Sequence, residues 1–299
     1  MNIDISYITD KAIEYVGSSL FGIILFGSYA RGDYDEYSDV DIAIITFNKS
    51  LSPRLIKLDN TYIELAFIPK TYYEYLLDQL YERDDHMLWV THTLYLKILR
   101  EGEILYDPYN QLVKWKKMIR KWKWSNKDLE EAIQQLHTNL EIALIGDRVY
   151  GELAYRIGLI KYIELFIIIK AMKKDLIPSL QPKDLYSYAR ILGLYKTFRE
   201  FEGIKNIDKK QVKEIMHELK TVKGYIPRLK NIWRRILIEF YRNNFDLALL
   251  YLRKLHINYL LEKSPNTPYI PYNAYHCIEL LNQEENIRIL KMLYNLEFE

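Results

Sequence analysis

Leu25-Phe-Gly-Ser-Tyr-Ala-Arg-Gly-Asp-Tyr-Asp-Glu-Tyr-Ser-Asp-Val-Asp-Ile-Ala-Ile-Ile45 decides how this chain is read. Apolar runs bound it on both sides. Phe21 to Phe26 reads as a buried strand entering a turn at Gly27-Ser28, and Val40 to Phe47 as a second strand. Successive side chains of a strand alternate between its faces, so Asp39 and Asp41 point the same way while Val40 and Ile42 point into the core. Two carboxylates held side by side repel each other unless a cation lies between them. Hard oxygen ligands at this spacing suit Mg²⁺, which takes its remaining ligands from water and substrate phosphates. Gly27-Ser28, after a strand and at the expected start of a helix, presents backbone N–H groups and a hydroxyl as a phosphate cradle. Glycine suits that position because backbone must approach phosphate closely.

Outward from this stretch, Tyr62-Ile-Glu-Leu-Ala-Phe67 reads as a third strand, stopped by Pro69. Ile63, Leu65 and Phe67 form its apolar face and Glu64 projects from the other, a third carboxylate for which Asp59 is the competitor. Asp4 to Val16 carries a helical apolar stripe closed by Gly17, and Thr71 to Tyr81 and His86 to Arg100 are helical in pattern. Gly102 to Pro108 reads as a turn. From Leu112 the pattern is helical almost throughout, over Leu112 to Trp124, Asn126 to Ile145 and Arg148 to Met172. Breaks follow at Pro178 and Pro182, and at Ser264 to Pro271. Ser125 and Asp128 resemble a capping box. The fold class expected is α+β: a small mixed β-sheet with flanking helices over residues 1–110, then a larger all-α domain over 111–299, with a candidate sub-boundary near 178–182.

A chain of 299 residues, 49% hydrophobic and 27% charged, has enough apolar material for a sizeable core and is neither disordered nor fibrous. The lone Cys277 excludes intramolecular disulfides and multi-cysteine zinc sites and suits a reducing cytoplasm. The six histidines show no metal spacing such as His-x-x-x-His. Met1 to Ser6 lacks the basic start and apolar run of a signal peptide. The apolar segment Ile163 to Ile169 contains Glu164 and falls well short of the roughly 20 residues that span a bilayer. A soluble, cytoplasmic protein is expected. Charge is unevenly spread: residues 1–110 hold 9 Lys/Arg against 18 Asp/Glu, and residues 111–299 hold 33 against 22. An acidic front suits divalent cations and a basic rear suits a polyanion such as a nucleoside triphosphate or RNA; docking between opposite charges would account for the same split.

Gly-Ser, ten residues, then Asp-x-Asp on a strand resembles the signature of the nucleotidyltransferase superfamily, with the polymerase-β-type catalytic fold. The fuller string Gly-Ser-x-Ala-Arg-Gly followed by Ser-Asp-Val-Asp is similar to its minimal nucleotidyltransferase branch, which includes antibiotic nucleotidyltransferases and toxin-antitoxin members. The resemblance covers about the first 110 residues, and an appended helical acceptor-binding domain is common among members. It implies that Asp39 and Asp41 ligate two metal ions, that Glu64 is the third acid, and that Gly27 and Ser28 hold the nucleotide phosphates. Two ions lower the pKa of the attacking hydroxyl and clamp the attacking and leaving oxygens of an in-line displacement. Arg31 either touches phosphate or pairs with an acid such as Asp33. Asp33, Asp35 and Glu36 read as a solvated acidic loop, with Ser38 capping the start of the strand.

The activity this implies is Mg²⁺-dependent transfer of a nucleoside monophosphate from an NTP to a hydroxyl, on a small molecule, a protein or an RNA end, with release of pyrophosphate. The alternative is a non-catalytic nucleotide-binding or toxin-antitoxin-type interaction module that keeps the fold. Lys114 to Trp124 carries six basic residues; Trp115, Met118, Ile119 and Trp122 share one helical face, leaving the cations to solvent or to phosphate. Arg156 and Lys161 are further candidates to reach a triphosphate.

Overall fold

The computed structural model describes residues 4–47, 54–58, 61–81, 93–134, 136–137, 163–178, 181–202, 204, 207–219 and 229–263. The chain divides into two compact units, Met1–Asp128 and Leu129–Glu299.

The first unit is built on a five-stranded sheet of order β3-β4-β2-β1-β5. Its strands are β1 (Leu20–Phe26), β2 (Val40–Thr46), β3 (Arg54–Leu58), β4 (Thr61–Pro69) and β5 (Glu103–Tyr106). β1 is antiparallel to β2 and β5, β3 is antiparallel to β4, and β2 runs parallel to β4. Helix α1 (Ile5–Val16) starts where the Asp4 carboxylate accepts the Tyr7 N–H at 3.1 Å, and ends at Gly17 with φ 58°. Its apolar stripe packs Ile8 and Ala12 against one face of the sheet, with Ile23 and Leu25 of β1, Val40, Ile42 and Ile44 of β2, and Ile63, Leu65 and Phe67 of β4. Val40, Ile42 and Ile44 are fully buried beneath α1, as the alternation predicts, but Ala43, Ile45 and Thr46 are equally buried, so within β2 only Asp41 retains exposure.

The opposite face receives α4 (Thr93–Glu101) and α5 (Gln111–Lys121), which follow α2 (Gly27–Arg31) and α3 (Lys70–Tyr81). A Cβ on Gly22 of β1 would stand 2.5 Å from Leu112 Cδ1, so the side chain of α5 sits directly on the strand. Phe21, which precedes Gly22, stacks on Trp115 and Tyr109 at centroid distances of 5.5 and 5.4 Å. α5 is held at its start by Asp107, whose carboxylate accepts the N–H groups of Gln111 and Val113, each at 3.0 Å.

Two strands and one helix end differ from the sequence expectation. β3 reads Arg-Leu-Ile-Lys-Leu, without alternation, because it is an exposed edge strand with only one neighbour. β5 is four residues long and stands where a turn was expected; pairing with β1 extends it. α5 stops at Lys121 and not at Trp124, because Trp122 turns to extended backbone at φ −71°, ψ 142°. The Ser125–Asp128 box does form: the Ser125 N–H and hydroxyl donate to the Asp128 carboxylate at 2.8 and 2.7 Å, and the Asp128 N–H donates back to the hydroxyl at 3.2 Å. A helix over residues 126–134 follows it.

The second unit contains, among the described residues, helices and connecting turns: beyond the helix begun at residue 126 these are residues 163–172, then α6 (Pro182–Ile191), α7 (Tyr195–Phe201), α8 (Lys209–Leu219), α9 (Leu229–Tyr241) and α10 (Phe245–Lys263). Ile163, Leu165, Phe166, Ile167, Ile168 and Ile169 are all buried, so the most apolar segment of the chain is a core helix. No helix among the described residues is long and apolar enough to cross a membrane. Arg253 pairs with Glu202 at 2.5 Å, and Asp246 forms an ion pair with Arg199, accepting from its Nη2 at 3.3 Å and from the Tyr195 hydroxyl at 3.0 Å. The Tyr186 hydroxyl lies 2.9 Å from that of Tyr195, and burial, then this hydrogen bond, raise the Tyr186 phenol above its ordinary pKa, so it stays a neutral hydroxyl.

Gly102 joins α4 to β5 where the backbone passes close over β1. A Cβ there would meet the Ile98 carbonyl, Ile24 Cγ2 at 2.5 Å and the Leu25 carbonyl at 2.8 Å. Two of the three obstacles are backbone and cannot rotate away. Gly102→Ala is therefore expected to cost roughly 1–3 kcal/mol, read as a lowered midpoint in urea denaturation.

Candidate active site

Asp41 is placed by two strand registers at once. It lies opposite Phe26 at the end of β1 and opposite Glu64 on the parallel strand β4. In a sheet, paired residues project from the same face, so Asp41 and Glu64 leave the side opposite the α1 core together. Asp39, two residues before Asp41 and just ahead of β2, joins them: one carboxylate oxygen from each of Asp39, Asp41 and Glu64 lies within 4.8 Å of the others. All three are partly exposed, so the cluster opens to solvent and substrate. Asp59, the competitor for the third acid, lies outside the described residues.

The backbone beside the cluster leaves no freedom in what stands at position 27. Phe26 ends β1 in extended backbone and Gly27 turns with φ 71° into α2. A Cβ on Gly27 would collide with the Asp41 carboxylate, its Cγ only 2.9 Å away. Glycine is thus required twice, by its positive φ and by the carboxylate packed on it. Ser28 is buried, 7% exposed, and its carbonyl accepts the Asp33 N–H at 3.1 Å. The first turn of α2 is held in place from behind by this bond and by the left-handed Gly32, whose φ is 76°.

In the loop between α2 and β2, Asp33, Asp35 and Glu36 are exposed, as expected of a solvated acidic loop, and the loop is also closed by hydrogen bonds. Asp35 Oδ1 accepts from the Tyr37 N–H at 3.1 Å and from the Ser38 hydroxyl at 2.9 Å, and the Ser38 hydroxyl accepts the Asp35 N–H at 3.0 Å. This closed turn delivers the chain to Asp39, and the Asp-x-x-Ser spacing is its sequence signal. Arg31 pairs with Asp33, Nη2 to Oδ1 at 3.3 Å, on the exposed side of the turn. Tyr29 and Tyr34, which sequence reasoning passed over, stack at 4.2 Å with planes 7° apart. Burial, then Tyr34, Asp35 and Asp39, hold the Tyr29 phenol above its ordinary pKa, so it is a neutral hydroxyl near the acids. Arg156 and Lys161 lie outside the described residues.

The arrangement supplies three hard oxygen donors converging on one point beside a backbone turn that accepts only glycine. That donor set fits a divalent cation of the Mg²⁺ kind.

Comparison with known proteins identifies the family. The nucleotidyltransferase domain family matches residues 10–84, a span that contains Gly27, Ser28, Arg31, Asp39, Asp41 and Glu64. A protein of Methanocaldococcus jannaschii named Putative protein adenylyltransferase MJ1305 is 34% identical over 116 residues, which cover 38% of this chain and 74% of that protein. A second from the same archaeon, MJ1547, with the same designation, is 26% identical over 125 residues, covering 41% of this chain and 82% of its own. The crystal structure of a nucleotidyltransferase-like protein from Exiguobacterium sibiricum 255-15 aligns over 97% of this chain and 86% of that one, at 12% identity and a TM-score of 0.39, too slight a likeness to carry an argument.

Gly27→Ala tests the packing of the turn against Asp41. The added methyl must displace the carboxylate or the strand, and it strains a left-handed residue, so stability is expected to fall by roughly 1–3 kcal/mol. Any melting-temperature rise that Mg²⁺ or Mn²⁺ gives the wild-type protein is expected to vanish in the variant, as read by differential scanning fluorimetry.

Proposed function

Because the chain belongs to the nucleotidyltransferase superfamily and is a nucleotidyltransferase enzyme, we propose that it moves a nucleoside monophosphate from an NTP to a hydroxyl acceptor, with Asp39, Asp41 and Glu64 as the catalytic carboxylates. The observation that carries this reading is the convergence of the three acids within 4.8 Å, with Gly27 closed onto Asp41. Asp39, Asp41 and Glu64 would hold divalent metal, two Mg²⁺ ions by analogy with the superfamily. Bound there, the ions would lower the pKa of the acceptor hydroxyl and neutralise charge that develops on the phosphates.

The chain's own residues do the positioning. Asp41 stands between Phe26 and Glu64 in the sheet, so its carboxylate has little freedom, and Asp39 is presented by the Asp35–Ser38 turn. Gly27 and Ser28 are proposed to hold the nucleotide phosphates through their backbone N–H groups, because a side chain at 27 would occupy the ground between phosphate and Asp41. Arg31 is proposed to reach the same phosphates by exchanging Asp33, an exposed ion pair of little worth to the fold. The relatives' designation puts ATP and a protein hydroxyl first among the combinations to test; a small molecule or an RNA end are the others. The intact triad speaks against a non-catalytic module. The deciding experiment incubates the protein with each α-labelled NTP, Mg²⁺ and a lysate split into RNA, protein and small molecules, and asks which fraction becomes labelled. No label in any fraction with any NTP overturns the reading.

Two substitutions separate chemistry from folding. Asp41→Asn keeps shape and removes one ligand charge, so transfer should fall by orders of magnitude while the metal-free melting temperature holds or rises as carboxylate repulsion is relieved. Glu64→Gln should leave NTP affinity largely intact and collapse single-turnover transfer, with a stability change of no more than about 0.5 kcal/mol. Unimpaired transfer in Glu64→Gln would remove this residue from the triad.

A further inference from the structure

α5 carries the strongest surface feature that the carboxylate site does not use. It contains no acidic residue, and Lys114, Lys117, Arg120 and Lys121 all stand exposed on it. At 100° per residue these four fall within an arc of about 120° and span about 10 Å of helix. Leu112, Trp115 and Ile119 are buried on the other side. Among the described residues, none of the four has a hydrogen-bonding or ion-pairing partner. The remaining lysine of the helix, Lys116, turns inward and donates to the Gly102 carbonyl; burial, then Arg120, hold its pKa below the usual lysine value. The helix thus sorts its cations, with one used for packing and four left to solvent.

The stripe has a direction. Leu112 sits on Gly22, near the start of β1, and Lys116 reaches Gly102, which abuts Ile24 and the Leu25 carbonyl. α5 therefore runs along β1 toward Phe26, the residue paired with Asp41, on the sheet face that carries the triad. Tyr109, two residues before α5, is 54% exposed, with one ring face stacked on Phe21 at 5.4 Å.

We infer that this face of α5 binds the backbone of single-stranded RNA, with the four cations on successive phosphates and Tyr109 stacking a base at the far end from the carboxylates. Regularly spaced cations beside an exposed aromatic ring are the combination by which proteins hold single strands. An acidic protein surface is the other polyanion such a stripe attracts, but protein interfaces are depleted in lysine, and three of the four cations here are lysines. Presentation of the strand's terminal hydroxyl to the triad rests on the reaction proposed above; the binding itself does not.

The test measures the affinity of the full chain for a fluorescein-labelled single-stranded RNA of roughly a dozen nucleotides by anisotropy, over a KCl series, in EDTA and without NTP. Each phosphate contact contributes about 0.7 to the log–log salt slope, so the variant with Lys114, Lys117, Arg120 and Lys121 all changed to Gln should lose about 3 from that slope. Should that variant melt early, Lys114→Gln/Lys117→Gln and Arg120→Gln/Lys121→Gln should each lose about half as much. Tyr109→Ala should weaken binding at least about fivefold with the slope unchanged, and Tyr109→Phe should restore it. An unchanged slope and affinity in folded charge variants overturns the inference. So does poly-L-glutamate of matched length competing as well as unlabelled RNA, which would assign the stripe to an acidic protein. Transfer to some acceptor without RNA binding removes this inference alone, whereas RNA binding without transfer from any NTP removes the reaction and leaves α5 as described.

Discussion

The parallel register of β2 on β4 is the constraint on which the rest of the first unit depends. It pairs Ile42 with Leu65 and Ile44 with Phe67 on the face under α1, and Asp41 with Glu64 on the other, where both carboxylates keep access to solvent. A slip of one residue would turn every side chain of a strand to the other face, driving a carboxylate into the core under α1. Hydrophobic burial under α1 therefore fixes the distance between two acids that would otherwise repel each other. Packing on one side of the sheet holds together an electrostatically unfavourable arrangement on the other.

Much of this was legible in the sequence because the relevant signals are local. The alternation Asp39, Val40, Asp41, Ile42 gave both the core face and the carboxylate face, and Ile63, Leu65 and Phe67 did the same for Glu64. The requirement for glycine at 27 was expected from phosphate approach. The contact with Asp41 depends on the pairing of β1 with β2 and was not visible in one strand alone. β3 and β5 were missed for the same reason, since their extended state comes from a neighbouring strand and not from their own pattern. The acidic loop is solvated as its composition suggests; what composition does not show is that Asp35 also forms a turn, bonded to the two residues that introduce Asp39.

The second unit is a reminder that apolar content alone does not identify a membrane segment. Ile163 to Ile169 is apolar because neighbours surround it. Arg253 and Glu202, both almost wholly buried, satisfy each other, and the Arg253 guanidinium also donates to the Glu202 carbonyl. Removing either alone would strand a charge in the core, so the pair specifies how its helices pack more than it adds to stability.

β3 has a consequence for how the protein behaves in concentrated solution. It forms one border of the sheet, and Leu55 and Ile56 on it are 38% and 44% exposed. A row of amides and carbonyls with no further strand paired to it among the described residues, beside apolar side chains, invites a foreign strand to add on. The segment is only five residues long and carries Arg54 and Lys57, with Arg54 drawn over the Tyr15 ring at 4.9 Å. A strand arriving at this border would have to desolvate those cations, and a second copy of the chain would bring the same two against them. Like-charge repulsion along a short border thus opposes self-association of the sheet at an edge that no helix among the described residues covers.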